Sequence, residues 1–163
     1  RFFIFRAHYR SPLNYSDVHL DDAKLALQRL YVSLRGFKIE NSDVDWRHPL
    51  ANKFKEAMND DFNTPEAISI LFELANEINK SKSEPLAGLL KALAKTIGLL
   101  ERDPENFLKG DEKISLNIDA LILQRYEAKN NKDFKEADRI RSLLLENGVV
   151  LEDTPQGTIW RKE

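Results

Sequence analysis

Residues 133–160, DFKEADRIRSLLLENGVVLEDTPQGTIW, hold the pattern that decides the fold of the C-terminal part of the chain. Asp133 is a residue type that caps the first turn of a helix, and Glu136 three positions later completes a capping-box pattern. A single apolar stripe at helical spacing follows and consists of Ala137, Ile140 and Leu144. Gly148 is a typical residue just after a helix, so the pattern predicts one amphipathic helix that stops there.

Two short strands are predicted after this helix. Residues 149–151 are apolar and mostly β-branched, which indicates the first strand, and residues 158–161 indicate the second. The segment TPQG at 154–157 is typical of a turn. The helix and the hairpin together predict a small α+β unit.

The helix of this unit has a second, largely polar face. Phe134, Asp138 and Arg141 fall at positions i, i+4 and i+7, so they share that face, and Asp153 follows in the hairpin. An aromatic ring, carboxylates and a guanidinium are the groups with which proteins hold unstacked single-stranded bases. On the residues alone, however, the mixture of six basic and four acidic side chains in 125–141 favours a solvated helix face.

Upstream of this unit the chain is predicted to be helical. Apolar residues recur at helical spacing in six further segments, which begin near residues 1, 16, 50, 64, 83 and 118. Ser11-Pro12 is expected to end the first helix, after residues 1–10. Ser16, Thr64 and Ser83 are expected to cap later helices, and Leu100 is expected to lie inside the helix that begins near 83.

The fold predicted from these elements is mainly α. An antiparallel helical bundle is predicted for residues 1–102, because short loops join its amphipathic helices. Residues 103–117 contain Pro and Gly and no apolar periodicity, so they are predicted to be a linker. Residues 118–163 are predicted to form the small α+β domain, with two helices and a short β-hairpin.

Composition and charge exclude several classes of site. The 163 residues include no cysteine, so disulfides and thiolate metal sites are impossible, and the formal net charge of −2 provides no general basic field for nucleic acid. His8, His19 and His48 lie far apart in the sequence, and no glycine-rich phosphate loop is present. No apolar run reaches membrane-spanning length, so we expect a soluble intracellular protein. Because the histidines are scattered and a phosphate loop is missing, we also expect no catalytic residues and no metal site in this chain.

Three stretches of the chain resemble cysteinyl-tRNA synthetases, in the order in which that family has them. AHYRSPLNYS (7–16) and MNDDFNTPEAI (58–68) are similar to the family's helical domain, which is named for its Asp-Ala-Leu-Arg motif. KDFKEADRIRSLLLENGVVLEDTPQGTIWR (132–161) is similar to the extreme C-terminus. The chain has no initiator Met, and Arg1 would end a Leu-Arg motif of the family, so the resemblance implies a C-terminal fragment.

The resemblance implies that the C-terminal domain recognises the anticodon of cysteine tRNA, guanine-cytosine-adenine (GCA). Phe134 stands where the family usually has Trp, and it would stack on the first base. Asp138 would accept the paired N–H donors of that guanine. Lys129, at a position where Arg is common, would contact the middle cytosine, and Asp153 would lie near the third base. Arg141 would contact a phosphate or a base.

The resemblance also implies a parent enzyme that uses ATP to join cysteine to tRNA. ATP and zinc would belong to its catalytic part, this chain would carry no cofactor, and we expect a cytoplasmic monomer with no membrane or DNA partner. Two alternatives remain open: a helical protein-interaction module, and a cysteine–amino-sugar ligase related to the synthetase. Phe134 also has a second interpretation, as a hydrophobic plug in the turn, and Trp160 is expected to belong to the core of the hairpin.

Overall fold

Residues 1–39, 43–110, 117–155 and 157–162 are described by the computed structural model. They divide into two units, Arg1–Glu105 and Asn106–Glu163. The first unit is helical and contains α1 (Phe2–Phe5), α2 (Asp17–Ser33), α3 (Pro49–Asn59), α4 (Thr64–Ser81) and α5 (Glu84–Thr96). The short helix α6 (Pro104–Lys109) spans the boundary, and the second unit contains α7 (Ile118–Asn130), α8 (Phe134–Glu146), β1 (Val149–Thr154) and β2 (Gly157–Lys162).

Helix α4 is central in the first unit, because it packs against α2, α3 and α5. The helices bury an extensive apolar core, whose largest fully buried side chains are Leu30, Leu34, Leu71, Leu74, Ile78, Leu90 and Leu93. The predicted mainly α fold, a helical bundle followed by a small α+β unit, is confirmed. None of the helices in the described part of the chain is long and apolar enough to cross a membrane.

Local side chains cap the bundle helices, in one case differently from the prediction. Ser16 Oγ accepts a hydrogen bond from the backbone N–H of His19 at 3.2 Å, and Ser83 caps α5 in the same way. The cap of α4 is Asn63, whose Oδ1 accepts from the Glu66 N–H at 3.2 Å. The prediction of Thr64 as that cap was therefore wrong by one residue, since Asn63 already supplies the acceptor.

The predicted helix over residues 1–10 is also wrong, because α1 ends at Phe5. Beyond it, the side chains of Tyr9 and Arg10 bind Asp61 in the loop between α3 and α4. Tyr9 Oη donates to Asp61 Oδ1 at 2.8 Å, and Arg10 Nη1 lies 3.1 Å from Asp61 Oδ2. These contacts between distant parts of the chain override the helical periodicity of residues 6–10.

Helix α5 ends at Thr96, four residues before Leu100, which was predicted to lie inside it. Gly98 and Leu100 both adopt positive φ angles, +68° and +54°, which an α-helix cannot accommodate. Leu100 is nevertheless 2% exposed, so the apolar periodicity correctly indicated burial and failed only for the backbone.

The second unit is a helical hairpin packed on a β-hairpin. Helix α7 packs against α8, and α8 packs against β1. The two strands are antiparallel, with Val149 opposite Lys162 and Thr154 opposite Gly157. A small apolar cluster of Ile118, Ile140, Leu144 and Val149 forms the core, and Trp160 packs against it. Gln156, part of the predicted turn, lies outside the described residues.

The domain boundary remains a prediction. Helix α6 lies within the predicted linker at 103–117, and Leu108 of this helix is 1% exposed. Residues 111–116 lie outside the described part of the chain. The two units meet between Glu105 and Asn106, three residues after the predicted end of the bundle at 102.

Candidate nucleic-acid interface

The turn between α7 and α8 sets the start of the predicted binding face. Lys132 has a φ of +58°, and the next residue, Asp133, donates its backbone N–H to Ala128 O at 2.9 Å. This bond closes the C-terminal end of α7 and leaves Asp133 to start α8. Asp133 Oδ1 accepts from the Glu136 N–H at 3.1 Å, so the predicted N-cap is confirmed.

The other half of the predicted capping box is not formed. Glu136 uses both carboxylate oxygens to accept bonds from the Arg139 guanidinium, each at 2.7 Å. These bonds hold the pKa of Glu136 below its usual value. The Asp133 N–H already has an acceptor at the end of α7, so Glu136 is not needed as a cap and pairs with its neighbour on the helix.

Phe134 is the first residue of α8, and 63% of its surface is exposed. A side chain this exposed is not a hydrophobic plug, and that interpretation was wrong. Asp138 and Arg141 are also exposed and follow one and two turns later on the same face of α8. An aromatic ring, a carboxylate and a guanidinium therefore line one solvent-facing helix surface.

Asp153, at the end of β1, is the centre of a hydrogen-bond network that joins the β-hairpin to α7. Its Oδ1 accepts from Arg125 Nη1 at 2.9 Å and from Thr158 Oγ1 at 2.7 Å. Its Oδ2 accepts from Arg125 Nη2 at 3.0 Å and from Lys129 Nζ at 2.8 Å. A carboxylate offers about four acceptor positions, and these four donors occupy them.

The charges in this network stabilise one another. The Arg125 guanidinium, and after it Lys129 and Thr158, hold the pKa of Asp153 far below its usual range, so Asp153 is an anion at neutral pH. Hydrogen bonding to Asp153 raises the pKa of Arg125 against the opposing effect of burial, and the charge of Asp138 adds to the increase. The Arg125 side chain is only 6% exposed, and its Nε is buried without an acceptor among the described residues.

The structure brings the predicted site residues into two groups. Lys129 and Asp153 are in direct contact, whereas Phe134, Asp138 and Arg141 share the outer face of α8. Asp138 is linked to the first group through its electrostatic attraction to Arg125.

Sequence reasoning did not assign Arg125 and Thr158 to the site. Arg125 lies one helical turn before Lys129 on α7, and two cations on one face indicate a counter-charge from another element. Thr158 stands directly opposite Asp153 in the hairpin register. Both signals are present in the sequence, but only the fold shows that they involve the same carboxylate.

Trp160 lies beside the apolar core of the second unit, in agreement with its predicted core role. It packs against the apolar cluster of the second unit, and the Lys109 ammonium lies 5.4 Å from its ring centroid. A cation at this distance interacts favourably with the face of the indole ring. Trp160 therefore supports the hairpin from the side of the core.

The described residues contain no group of three or more His, Cys, Asp or Glu side chains that could hold a metal ion. His48 instead accepts a hydrogen bond from the Leu50 N–H at 3.3 Å and caps α3. His8 lies 3.9 Å from Asp61, and His19 lies 3.3 Å from a backbone carbonyl oxygen.

Comparison with known proteins identifies both parts of the chain. Residues 53–101 match the DALR domain family, and residues 111–161 match the cysteinyl-tRNA ligase anticodon binding domain. The chain is 59% identical over 165 residues to the cysteine–tRNA ligase of Methylobacillus flagellatus, an alignment that covers 99% of this chain and 36% of that protein.

Two further relatives give the same result. The cysteine–tRNA ligase of Delftia acidovorans is 57% identical, over 98% of this chain and 35% of that protein. The cysteine–tRNA ligase of Aromatoleum aromaticum is 54% identical, over 99% of this chain and 36% of that protein. The chain thus spans about a third of the length of these relatives. The chain therefore contains a DALR domain and a cysteinyl-tRNA ligase anticodon binding domain, and nearly its whole length is similar to part of the cysteine–tRNA ligases.

Proposed function

We propose that the second unit binds the anticodon loop of cysteine tRNA and recognises the sequence GCA. The observation that carries this proposal is the exposed face of α8, where Phe134 stands at the helix start and Asp138 follows one turn later. The match of residues 111–161 to an anticodon-binding domain supports it. Binding must be local, because the net charge of the chain is −2.

Phe134 is the proposed stacking platform for the first anticodon base. Its ring is exposed and begins a helix whose cap, Asp133, fixes the backbone beneath it. Stacking on an aromatic side chain tolerates any base, so this contact contributes affinity and leaves specificity to polar neighbours.

Asp138 is the proposed reader of that first base. A carboxylate accepts the two N–H donors on the Watson–Crick edge of guanine, whereas adenine offers a different edge. Asp138 follows Phe134 by one helical turn, which is where a base stacked on the ring would present its edge. Arg141, a turn further, is the proposed contact to a phosphate or base, and Lys129 on α7 is the proposed contact to the middle base.

We propose further that the protein to which this chain belongs attaches cysteine to tRNA with ATP, as the names of its relatives indicate. We propose that ATP and zinc are held by a part of that protein outside this chain; among the described residues no group of three or more His, Cys, Asp or Glu side chains could hold a metal ion. We also propose that this protein is a monomer, acts in the cytoplasm and has no DNA or membrane partner. The match to an anticodon-binding domain favours it over an amino-sugar ligase, which has no anticodon to read.

A two-by-two titration tests the reading of the first base. Wild-type chain and Asp138→Asn are titrated at fixed salt with two anticodon stem-loops, one with guanine and one with adenine at the first position. Asn replaces one acceptor with a donor, and a guanine donor left without an acceptor costs about 1–3 kcal/mol. The substitution should therefore weaken binding to the guanine loop and have a smaller effect on the adenine loop. Equal losses on both loops would show that Asp138 does not read this base.

A salt series distinguishes RNA binding from a protein-interaction module. Affinity that depends on phosphate contacts falls steeply as salt rises, because counterions are released on binding. The affinity of a partner that docks through an apolar face depends much less on salt. Wild-type chain that binds neither stem-loop at low salt would contradict the proposed function altogether.

A further inference from the structure

We infer that Arg125 is a positioning residue for RNA binding, which acts through Asp153 to hold the Lys129 ammonium at the RNA-facing surface of α7. In this arrangement the carboxylate of Asp153 is bound by protein donors before RNA arrives, and it holds Lys129 in place. The inference rests on the proposed function and deepens it, since it assigns a role to the ion network between α7 and the β-hairpin.

The first argument is the saturation of the carboxylate. Arg125, Lys129 and Thr158 supply four donors to the two oxygens of Asp153, at 2.7–3.0 Å. The amino group of an adenine would have to displace one of these donors to bind there. Two of the four belong to a guanidinium in a bidentate arrangement, which is the strongest geometry for such a pair. In the protein without RNA, both oxygens of Asp153 are therefore engaged in the network.

The second argument is the contrast in exposure between the two cations. The Arg125 side chain is 6% exposed, whereas the Lys129 side chain is 41% exposed. Arg125 thus cannot contact RNA without a rearrangement of the unit, but Lys129 can. An ammonium has three N–H donors, and Asp153 accepts one of them, so two point toward other acceptors such as a phosphate or the cytosine edge.

The third argument concerns the cost of fixing a lysine. A Lys side chain is flexible and carries a point charge, so it loses rotamer entropy when it binds. The bond from Lys129 Nζ to Asp153 Oδ2 restricts the side chain before RNA arrives. The bidentate bonds from Arg125 fix the plane of the carboxylate, and so they fix the point to which Lys129 is held. The charges of the three groups sum to +1, which still attracts RNA.

The test is a double-mutant cycle in the whole chain, with binding to the GCA stem-loop as the measurement. Lys129→Ala should weaken binding about tenfold. Arg125→Met should weaken it several-fold in the wild-type background and have almost no effect in the Lys129→Ala background, because its action passes through Lys129. Arg125→Lys keeps the charge but not the fork, and should recover only part of the affinity.

Arg161→Met is the matched control. Arg161 pairs with Glu152 within the same hairpin at 3.0 Å, and its removal leaves Asp153 untouched. This variant should bind the stem-loop like wild type. If it loses as much affinity as Arg125→Met, the effect is a general weakening of the hairpin and the inference is overturned.

Two further results would contradict the inference, one through Asp153 and one through Arg125. An Asp153→Asn loss that persists in the Lys129→Ala background and depends on the third base would show that Asp153 reads that base. Additive losses for Arg125→Met and Lys129→Ala would show that Arg125 acts independently of Lys129.

If the Arg125 variants do not fold, Thr158→Val takes their place in the double-mutant cycle with Lys129→Ala. It removes one bond to Asp153 from the opposite strand, and its loss of affinity should likewise vanish in the Lys129→Ala background. A cycle of Arg125 and Asp153 in urea unfolding tests the network without RNA. Absence of coupling there overturns the inference, whereas failure of the wild-type chain to bind RNA overturns the proposed function.

Discussion

The two units of the chain are stabilised in different ways. The bundle of residues 1–105 buries long apolar side chains along α2, α4 and α5, and it also buries the Arg35 side chain, 7% exposed, in an ion pair with Glu105, whereas the ion pair between Asp45 and Arg47 is on its surface. The second unit has a smaller core, centred on a cluster of four buried apolar residues, and beside it Arg125 is buried against Asp153. Apolar burial is not directional, whereas an ion network depends on the position of each atom. We therefore expect each unit to be destabilised by loss of its buried arginine, Arg35 or Arg125, and the bundle, with its larger apolar core, to remain folded more readily after that loss.

The same difference bears on the residues proposed to bind RNA. In the second unit a structural network also presents a surface cation, because Asp153 contacts both the buried Arg125 and the exposed Lys129. A substitution there should change stability and RNA affinity together. Substitutions on the outer face of α8 should change affinity alone.

The largest effect is expected in the core of the bundle. Leu71 is on the central helix α4 and is fully buried, so Leu71→Ala should lower the free energy of unfolding by about 2–5 kcal/mol. Urea unfolding measures the change, and Leu25→Ala, at a side chain 47% exposed, is the control with a small effect. Similar values for both variants would show that burial on α4 does not dominate the stability of the bundle.

The next effect tests the ion network of the second unit. Loss of one partner from a buried ion pair costs about 3–5 kcal/mol, and since the Asp153 side chain is 50% exposed we expect about 2–3 kcal/mol for Asp153→Asn at neutral pH. The pKa of Asp153 is lowered in the folded state, so its contribution is complete above the unfolded value of about 4 and declines as pH falls below it. The stability difference between wild type and variant should therefore shrink below about pH 4. A difference that is constant with pH would mean that the charge of Asp153 is not its source.

The third effect separates affinity from stability. Phe134→Ala should cost roughly 1–3 kcal/mol of stem-loop binding and leave the unfolding curve unchanged, because the ring is exposed. Phe134→Trp should bind more tightly, since the larger ring stacks over more of a base. Leu145→Ala, at another exposed apolar side chain of α8, is the control and should bind normally. Unfolding of the second unit by Phe134→Ala would show that the loss of affinity does not come from a lost stacking contact alone.

The smallest effect comes from two lysines in matching backbone conformations, one in each unit. Lys82 and Lys132 have φ angles of +53° and +58°, a region that glycine adopts at lower cost. Substitution of either lysine by Gly relieves backbone strain but adds backbone entropy to the unfolded state. The net effect should be a stabilisation of its own unit by about 0.5 kcal/mol. Binding to the stem-loop should weaken slightly for Lys132→Gly, next to the start of α8, and not for Lys82→Gly. Equal binding by both variants would limit the RNA surface to residues beyond this turn.

Features that depend on neighbouring residues could be predicted from the sequence, and features that depend on distant ones could not. Ser16 and Asp133 cap their helices as predicted, because a cap is a contact between residues three apart. The helix predicted for residues 1–10 fails because Asp61, which is 52 positions from Tyr9 and 51 from Arg10, binds both side chains. The ion pair of Asp153 with Arg125 was not predicted for the same reason, since Arg125 is 28 residues before it.

The contact between Asp61 and the N-terminal segment also has a dynamic consequence. Asp61 and Phe62 adopt successive positive φ angles, +51° and +53°, and backbone strain of this kind persists only where surrounding contacts maintain it. Tyr9 and Arg10 supply such contacts from a segment that has no helix or strand between residues 6 and 16. Release of Asp61 would free the segment and let the loop relax in the same event. The segment and the loop should therefore exchange their amide hydrogens as one cooperative unit, at a lower free energy than the helices around them.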